Sequence, residues 1–204
     1  LPAPIQVGEH ITASRSTFGI PDDRYTFLFS FNPGSSAARK NPFGLFDAYE
    51  RAFGDQADKP LLVLKGQALN AFPELAAELR RRAAELGVLL LEQNLSRDEM
   101  YTLIASCDCY ISLHRSEGWG LGMAEAMALG KPVIGTGWSG NIDFMSHENS
   151  YLVDYTLVPI SAEHHRFQDS YLTVYVPGSS IWAEPDIDHA ASLMRHVVAH
   201  QIGR

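Results

Sequence analysis

The sequence predicts an α/β domain with a Rossmann-like parallel sheet and helices on both faces of that sheet. Short apolar runs alternate with segments of helical periodicity along the 204-residue chain, and such alternation is typical of a parallel sheet. The apolar runs are nearly continuous, as expected for strands that are buried on both faces. Capping residues mark several helix starts. These three observations together favour one sizeable α/β core.

The predicted elements follow from these signals in chain order. Asn41-Pro42 provides an N-cap and a proline at the first helical position, and Ser96-Arg-Asp-Glu99 forms a capping box. Strands are predicted at residues 25–31, 61–65, 88–91, 110–113, 132–134 and 151–153. Helices are predicted at residues 42–53, 73–86, 97–106, 121–129, 141–145 and 186–200. The stretch 156–181 is irregular and aromatic-rich, and we predict an insertion there.

Composition narrows the class of protein. The chain has 16 basic and 24 acidic residues and a net charge of −8, which argues against nucleic acid as a partner because that binding depends on Lys and Arg. No apolar run approaches the roughly 20 residues of a membrane span, and no signal-peptide pattern opens the chain. Cys107 and Cys109 are too close on one predicted strand for a normal disulfide, and core packing is favoured over metal ligation. A reduced cytoplasmic compartment is expected because the two cysteines are not predicted to form a disulfide.

The first residues indicate how the chain is organised. It opens with Leu-Pro-Ala-Pro-Ile and has no initiator Met. We interpret residues 1–24 as an interdomain linker or N-terminal extension and residues 25–204 as the folded domain. The sequence is therefore expected to be a piece of a longer protein.

A glycine-rich segment carries the strongest functional signal. Residues 110–135 are predicted to form a strand, a glycine-broken loop, a helix and a second strand. A helix that begins after such a turn presents free N–H groups and a partial positive charge, which favour a phosphate. Glu117 and Glu125 flank the glycines, and carboxylates repel phosphate but accept hydrogen bonds from hydroxyls. A nucleotide-sugar, with hydroxyls on both sides of its diphosphate, fits this pattern.

The segment Glu117-Gly-Trp-Gly-Leu-Gly-Met-Ala-Glu125, followed by Ala-Met-Ala-Leu-Gly-Lys-Pro-Val, resembles the retaining glycosyltransferases of the GT-B fold, family 4. The resemblance implies that this chain is the C-terminal, donor-binding half of such an enzyme. It also implies that Glu117 lies against the donor sugar and its phosphate, and that Glu125 holds the ribose.

The same resemblance implies a reaction and its partners. A hexosyl group, with mannosyl as the specific expectation, would pass from a nucleotide-diphosphate sugar to a saccharide or lipid-linked saccharide acceptor. Transfer would proceed with retention and without a metal or other cofactor. The acceptor would bind a missing N-terminal domain of the same protein, so the isolated domain is expected to be inactive. Polysaccharide biosynthesis is the expected setting, with the full-length protein peripheral at the inner membrane.

Further candidates follow the predicted strands, where open parallel sheets bind ligands. Arg39 and Lys40 are expected to neutralise the diphosphate. The resembled family places its Arg several residues before its Lys, whereas here the two are adjacent, so their division of roles stays open. Lys65 ends a strand and is explained equally well as a donor-binding or a snorkelling residue. The remaining donor-binding candidates are His114, Arg115, Gly118, Gly120, Leu121, Gly122, Ser139, Gly140 and Asn141.

Three alternatives compete with this interpretation. Gly135-Thr-Gly-Trp-Ser-Gly140 is formally the G-x-G-x-x-G motif of dinucleotide-binding oxidoreductases, but it stands late in the domain and lacks an acid about 20 residues further on. Asp186-Ile-Asp188 resembles a metal-binding Asp-x-Asp motif, but capping of the last helix explains it better. The third alternative is a non-catalytic nucleotide- or partner-binding module. An upstream domain with a glycine-rich acceptor loop would favour the enzyme.

Overall fold

A six-stranded parallel sheet forms the core of the protein in a computed structural model that describes residues 5–8, 10–54, 56–161 and 180–201. Its strands are β1 (Thr26–Phe31), β2 (Leu61–Gly66), β3 (Leu89–Leu91), β4 (Cys109–Ser112), β5 (Val133–Thr136) and β6 (Tyr151–Val153). They lie side by side in the order β3-β2-β1-β4-β5-β6. The predicted Rossmann-like sheet is confirmed, because every strand of this sheet was expected close to its observed bounds.

Helices cover both faces of this sheet. They are α1 (Ala37–Lys40), α2 (Pro42–Phe53), α3 (Pro73–Leu86), α4 (Arg97–Ser106), α5 (Leu121–Ala128) and α6 (Ile187–Gln201). One face packs against α2, α3 and α6, which bury Phe46, Leu79 and Met194. The other face packs against α4 and α5, which bury Ile104 and Met123. Among the described helices, none has both the length and the apolar character needed to cross a membrane.

Small and polar residues end the strands on the face that packs against α4 and α5, and they open a cleft there. Ser30 pairs in register with Lys65, and Ser112 pairs with Gly135. Two residues earlier along their strands, Leu28 and Tyr110 are partners on the same face. The space that large side chains fill in the middle of the sheet is therefore left open at its carboxyl edge.

Two expectations from the sequence need correction. Residues 141–145 do not form an α-helix, since the turn there is a 3-10 helix at Gly140–Asp143. Part of the stretch 156–181 is regular: β7 (Tyr155–Pro159) and β8 (Ile181–Pro185) pair antiparallel in a second, two-stranded sheet. Trp182 of β8 is buried in a small apolar cluster with Ile160. The remainder of the predicted insertion, residues 162–179, lies outside the described residues.

The segment before β1 packs against the sheet. Phe18 and Ile20 are buried in the same cluster as α4 and α5. The Arg15 guanidinium forms an ion pair with Asp108 at 2.7 Å, beside the start of β4. The domain boundary at residue 25 stays a prediction, but residues on its N-terminal side contribute to the core.

Candidate functional site

Two adjoining cavities open at the carboxyl edge of the sheet. The larger, of about 260 Å³, extends from β1 toward Lys65 and Glu125. The smaller, of about 120 Å³, contains Glu117 and the loop that precedes α5. The residues that line both cavities are Ser30, Lys40, Leu121 and Gly122. The structure therefore brings both motif glutamates and two predicted cations, Lys40 and Lys65, to a single cleft.

A larger cavity, of about 690 Å³, lies along the edge strand β6. Its lining includes Lys131, His147 and Tyr151, and neither motif glutamate reaches it. Volume alone therefore does not identify the functional site.

Glu117 lies between the two predicted cations. Lys40 Nζ donates a hydrogen bond to Glu117 Oε2, and Arg39 Nη1 lies 3.5 Å from Glu117 Oε1. The same Arg39 nitrogen donates to the carbonyl oxygen of Ser116 at 2.6 Å. All three charged side chains are largely shielded, with 12–16% of their surface exposed. The two cations thus hold a carboxylate at the place where we expected them to hold a diphosphate.

A strained turn places these cations. Helix α1 lies between Ser36 and Asn41, and both of these flanking residues have positive φ, 76° and 56°. Ser36 Oγ accepts a hydrogen bond from Arg39 N at 3.1 Å, and Asn41 Nδ2 donates to the carbonyl oxygen of Leu113 at 2.9 Å. Non-glycine residues in this backbone region cost free energy and concentrate at functional sites. The strain here keeps Arg39 and Lys40 beside the end of β4.

Burial disfavours charge on both members of the Lys40–Glu117 pair. For Glu117, the cations Lys40 and Arg39 outweigh burial and hold its pKa below the usual range. For Lys40, burial outweighs the attraction of Glu117, so its pKa is lowered. An anion beside Lys40 therefore favours its charged form.

The loop after β5 fixes the backbone of Glu117. Glu117 N donates to Ser139 Oγ at 2.6 Å, and Ser139 Oγ donates to the carbonyl oxygen of Glu117 at 2.8 Å. Gly140 N donates to the same oxygen at 3.1 Å. The contacts described here make Ser139 and Gly140 positioning residues for Glu117, and their expected place in the donor site stays a prediction.

His114 lies behind this loop and is fully buried. Asn141 Nδ2 donates to the carbonyl oxygen of Thr136 at 2.9 Å, so Asn141 Oδ1 is the acceptor for His114 Nε2 at 3.0 Å. The proton is therefore on Nε2, and Nδ1 accepts from the Ser112 hydroxyl at 3.2 Å. Burial lowers the pKa of His114, which agrees with a neutral ring. His114 and Asn141 hydrogen-bond each other and the protein interior, and their expected contact with the donor stays a prediction.

Arg115 also points away from the cleft. Its guanidinium pairs with Glu184 of β8 at 2.5 and 2.8 Å and donates to the carbonyl oxygen of Ala38 at 2.6 Å. It lies over the Trp182 ring, 5.3 Å from the centroid. The Arg115 side chain thus joins α1 to the two-stranded sheet, and its expected contact with the donor stays a prediction.

Glu125 and Lys65 line the larger cavity from opposite elements. Glu125 lies in the second turn of α5 with 9% of its surface exposed. Burial raises its pKa against the opposing effects of Tyr101 and Arg97. Lys65 ends β2 with 4% exposed, and its Nζ donates to the carbonyl oxygen of Gly66 at 2.8 Å.

The cavity lining includes residues that we did not predict. Among them are Ser30, Gln67, Leu95, Met100 and Tyr110. The hydroxyls of Ser30 and Tyr110 hydrogen-bond at 2.8 Å on the cleft floor. A serine at the end of an otherwise apolar strand was the available signal for Ser30. Gln67, Leu95 and Met100 lie in loops or at the start of a helix, where no hydrophobic periodicity in the sequence distinguishes them.

The N-terminus of α5 closes the smaller cavity. Gly120 begins this helix with φ 89°, and no side chain caps it among the described residues. A Cβ at Gly122 would overlap the hydroxyl of Tyr110 and approach its Cζ to 2.9 Å. The glycines of the motif thus let the first helical N–H groups face the cleft without a side chain in the way.

We expect Gly122→Ala to destabilise the protein by about 1–3 kcal/mol, the usual cost of overpacking. In a chain of this size that is a fall in melting temperature of roughly 2–4 °C per kcal/mol, measured by thermal unfolding. Gly118→Ala is the control, because nothing lies within 4 Å of a Cβ there. Tyr110→Phe added to Gly122→Ala should restore part of the loss. Equal melting temperatures for the two single variants would contradict this packing.

Solved structures with the same fold include two long chains and one isolated domain. Anabaena HepE, in complex with UDP-glucose, is 19% identical with a TM-score of 0.62 over 92% of this chain and 42% of its own. A UDP-forming α,α-trehalose-phosphate synthase from Burkholderia xenovorans is 11% identical with a TM-score of 0.64 over 87% of this chain and 37% of its own. This chain therefore spans less than half the length of either protein.

The third structure is a domain of similar length. The C-terminal domain of the group 1 glycosyl transferase LpcC from Francisella tularensis is 18% identical with a TM-score of 0.54 over 94% of this chain and 95% of its own. Comparison with curated protein sequences gave no significant match. The family model described as "Glycosyl transferases group 1" matches residues 11–159. Because that match covers most of the chain, this protein belongs to the group 1 glycosyl transferases.

Proposed function

We propose that this domain binds a nucleotide-diphosphate sugar and stabilises its diphosphate while a hexosyl group passes to a saccharide or lipid-linked acceptor. The observation that carries the proposal is the cleft itself, where Lys40, Glu117, Glu125 and the N-terminus of α5 meet. Cations and a helix N-terminus suit a diphosphate. Carboxylates on either side of it suit the hydroxyls of the sugar and of the ribose. HepE, whose structure contains UDP-glucose, shares the fold.

The order of these groups gives the donor a direction. Glu117 follows β4 and lines the smaller cavity, so the sugar lies there. Lys40, Leu121 and Gly122 line both cavities, so the diphosphate lies at their junction. Glu125 lines only the larger cavity, where the ribose and the base lie.

In the proposed reaction the bond between the anomeric carbon and the β-phosphate oxygen breaks. The acceptor hydroxyl oxygen forms the new bond to that carbon with retention, and the departing diphosphate takes up the hydroxyl proton. Negative charge grows on the β-phosphate as its bond breaks. Fixed positive groups stabilise such negative charge most effectively in a shielded site. In the proposed reaction, Lys40, Arg39 and the N-terminus of α5 supply the positive charge without a metal.

Other parts of the proposal concern the whole protein. Because this chain spans 42% of HepE and 37% of the synthase, we propose that another domain binds the acceptor. The same proposal includes membership of family 4 and mannose from GDP-mannose as the donor sugar. It also includes a role in polysaccharide biosynthesis and a cytoplasmic site at the inner membrane. Titration of the protein with UDP, GDP, CDP and ADP tests the proposed binding of a nucleotide. Absence of binding to all four would favour a partner-binding module.

Glu125→Ala is expected to weaken binding of the preferred nucleoside diphosphate by about 1.5–3 kcal/mol, the usual value of a hydrogen bond to a charged group. The reason is the loss of the carboxylate that accepts from the ribose hydroxyls. Isothermal titration calorimetry measures it, with the exposed Glu148→Ala as the control. A 2′,3′-dideoxy analogue lacks both hydroxyls, so the substitution should not weaken its binding. An equal loss of affinity for both ligands would contradict the proposed contact of Glu125 with the ribose.

A further inference from the structure

Lys65 is a buried cation that pairs with no carboxylate among the described residues. It is 4% exposed, and its one hydrogen bond described here goes to the carbonyl oxygen of Gly66. Burial alone accounts for the lowering of its pKa, with no acid to oppose it. An ammonium has three N–H donors, so two are left for an occupant of the cavity that Lys65 lines. A buried charge without a partner is costly, and an apolar side chain of similar length would pack at less cost.

The strand order places Lys65 at the nucleoside end of the cleft. Glu117 follows β4, Lys40 follows β1 and Lys65 ends β2, and these strands are consecutive in the sheet. Neighbouring strands are about 4.8 Å apart, so Lys65 lies roughly two strand spacings, about 10 Å, from the end of β4. The sugar and the diphosphate take up the positions over β4 and β1 in the proposed function. The next position along the sheet belongs to the base.

The surroundings of Lys65 suit a flat heterocycle. Leu95 and Met100 are half-buried and line the same cavity, together with the amide of Gln67. Apolar side chains cover the faces of a ring, and polar groups recognise its edge. The described lining of this cavity includes one carboxylate, Glu125, which the proposed function assigns to the ribose.

We propose that Lys65 is a base-specificity residue whose Nζ donates to the carbonyl oxygen on the edge of the base farthest from the ribose. The inference rests on the proposed function. That oxygen is O4 in uracil and O6 in guanine. Cytosine and adenine carry an amine at the same position, and an amine and an ammonium are both donors. Lys65 does not approach Glu125 within ion-pair distance, which fits contact with the distal edge and not with the edge beside the ribose.

The test compares nucleotides that share their phosphates and differ at that edge. Affinities of UDP, CDP, GDP and ADP are measured for the wild type, Lys65→Met and Lys40→Met. Lys65→Met should weaken the binding of UDP and GDP by about 10–100-fold, the range for a hydrogen bond to a charged group. It should weaken the binding of CDP and ADP by less than about threefold. Lys40→Met is the phosphate control and should weaken all four ligands alike.

Thermal unfolding of the ligand-free protein provides an independent measurement. Lys65→Met removes an uncompensated buried charge and keeps the length of the stem, so its melting temperature should equal or exceed that of the wild type. A clear fall would show that Lys65 stabilises the fold and would overturn the inference. An equal loss for UDP and CDP in Lys65→Met would assign Lys65 to the phosphates and also overturn it, while the proposed function would stand. If the wild type binds none of the four nucleotides, the proposed function fails and this inference fails with it.

Discussion

Glu117→Gln is expected to bind UDP about tenfold more tightly than the wild type and to transfer sugar at least 100-fold more slowly. In the ligand-free protein the Glu117 carboxylate takes the hydrogen bond of Lys40 and lies 3.5 Å from Arg39. A diphosphate must share these cations with it or displace it. Without the carboxylate the diphosphate gains both cations, and tenfold corresponds to about 1.4 kcal/mol. Transfer should fall because the proposed function places Glu117 against the reacting sugar, and such a contact appears mainly in the turnover number.

Calorimetry with UDP and a transfer assay on the full-length protein measure the two effects separately. The exposed Glu148→Gln changes the net charge equally and should alter neither quantity. A Glu117→Gln variant that binds UDP no better than the wild type would show that the ion pair does not compete with the diphosphate. A variant that retains full turnover would show that Glu117 has no part in the reaction.

Gly140→Ala is expected to disable the site by moving Glu117. A Cβ at Gly140 would overlap the carbonyl oxygen of Gly118 and come within 3.0 Å of Trp119 Cα. These are backbone atoms and cannot rotate aside, so the loop that carries Glu117 must shift. A displacement of about 1 Å in a catalytic group can cost 10²-fold in rate, and we expect a loss of at least that size in turnover.

The matched control is Gly137→Ala in the same loop, where a Cβ would make only ordinary contacts at 3.4 Å and beyond. The turnover number of both variants is measured, and their melting temperatures confirm that each variant is folded. Gly140→Ala with the turnover of Gly137→Ala would mean that the loop tolerates the shift and that Glu117 is not held as tightly as its hydrogen bonds indicate.

Local signals in the sequence were enough to predict the large sheet and the helices around it. Apolar runs and N-cap residues such as Asn41 and Ser96 act within a few residues of the element that they define. The strands β7 and β8 were missed because they pair across a long stretch of chain, and their exposed side carries Leu157 and Ile181 at 44% and 56% exposure. Helix α1 was missed because it depends on positive φ at its two ends, for which the sequence contains no glycine.

The site was predicted in part for the same reason. Glu117, Glu125, Gly120 and Gly122 of the motif line the cleft, as do Lys40 and Lys65 near the strand ends, and their roles in binding stay predictions. His114 and Arg115 stand next to Glu117 in sequence, but consecutive residues at the end of a strand project to different sides. Only the packed structure shows that one enters the core and the other meets Glu184. Distance along the chain is therefore a poor guide to which neighbours of a motif share its site.

The contacts of Arg115 couple two parts of the molecule mechanically. Its backbone N donates to the carbonyl oxygen of Arg39 at 2.8 Å, and its carbonyl oxygen accepts from Ala183 N of β8 at 2.9 Å. Its side chain repeats both links, to Ala38 and to Glu184. Arg115 therefore links the small sheet to the turn that carries Arg39 and Lys40. Because β8 and this turn are each bonded twice to Arg115, we expect a displacement of one to be accompanied by a displacement of the other.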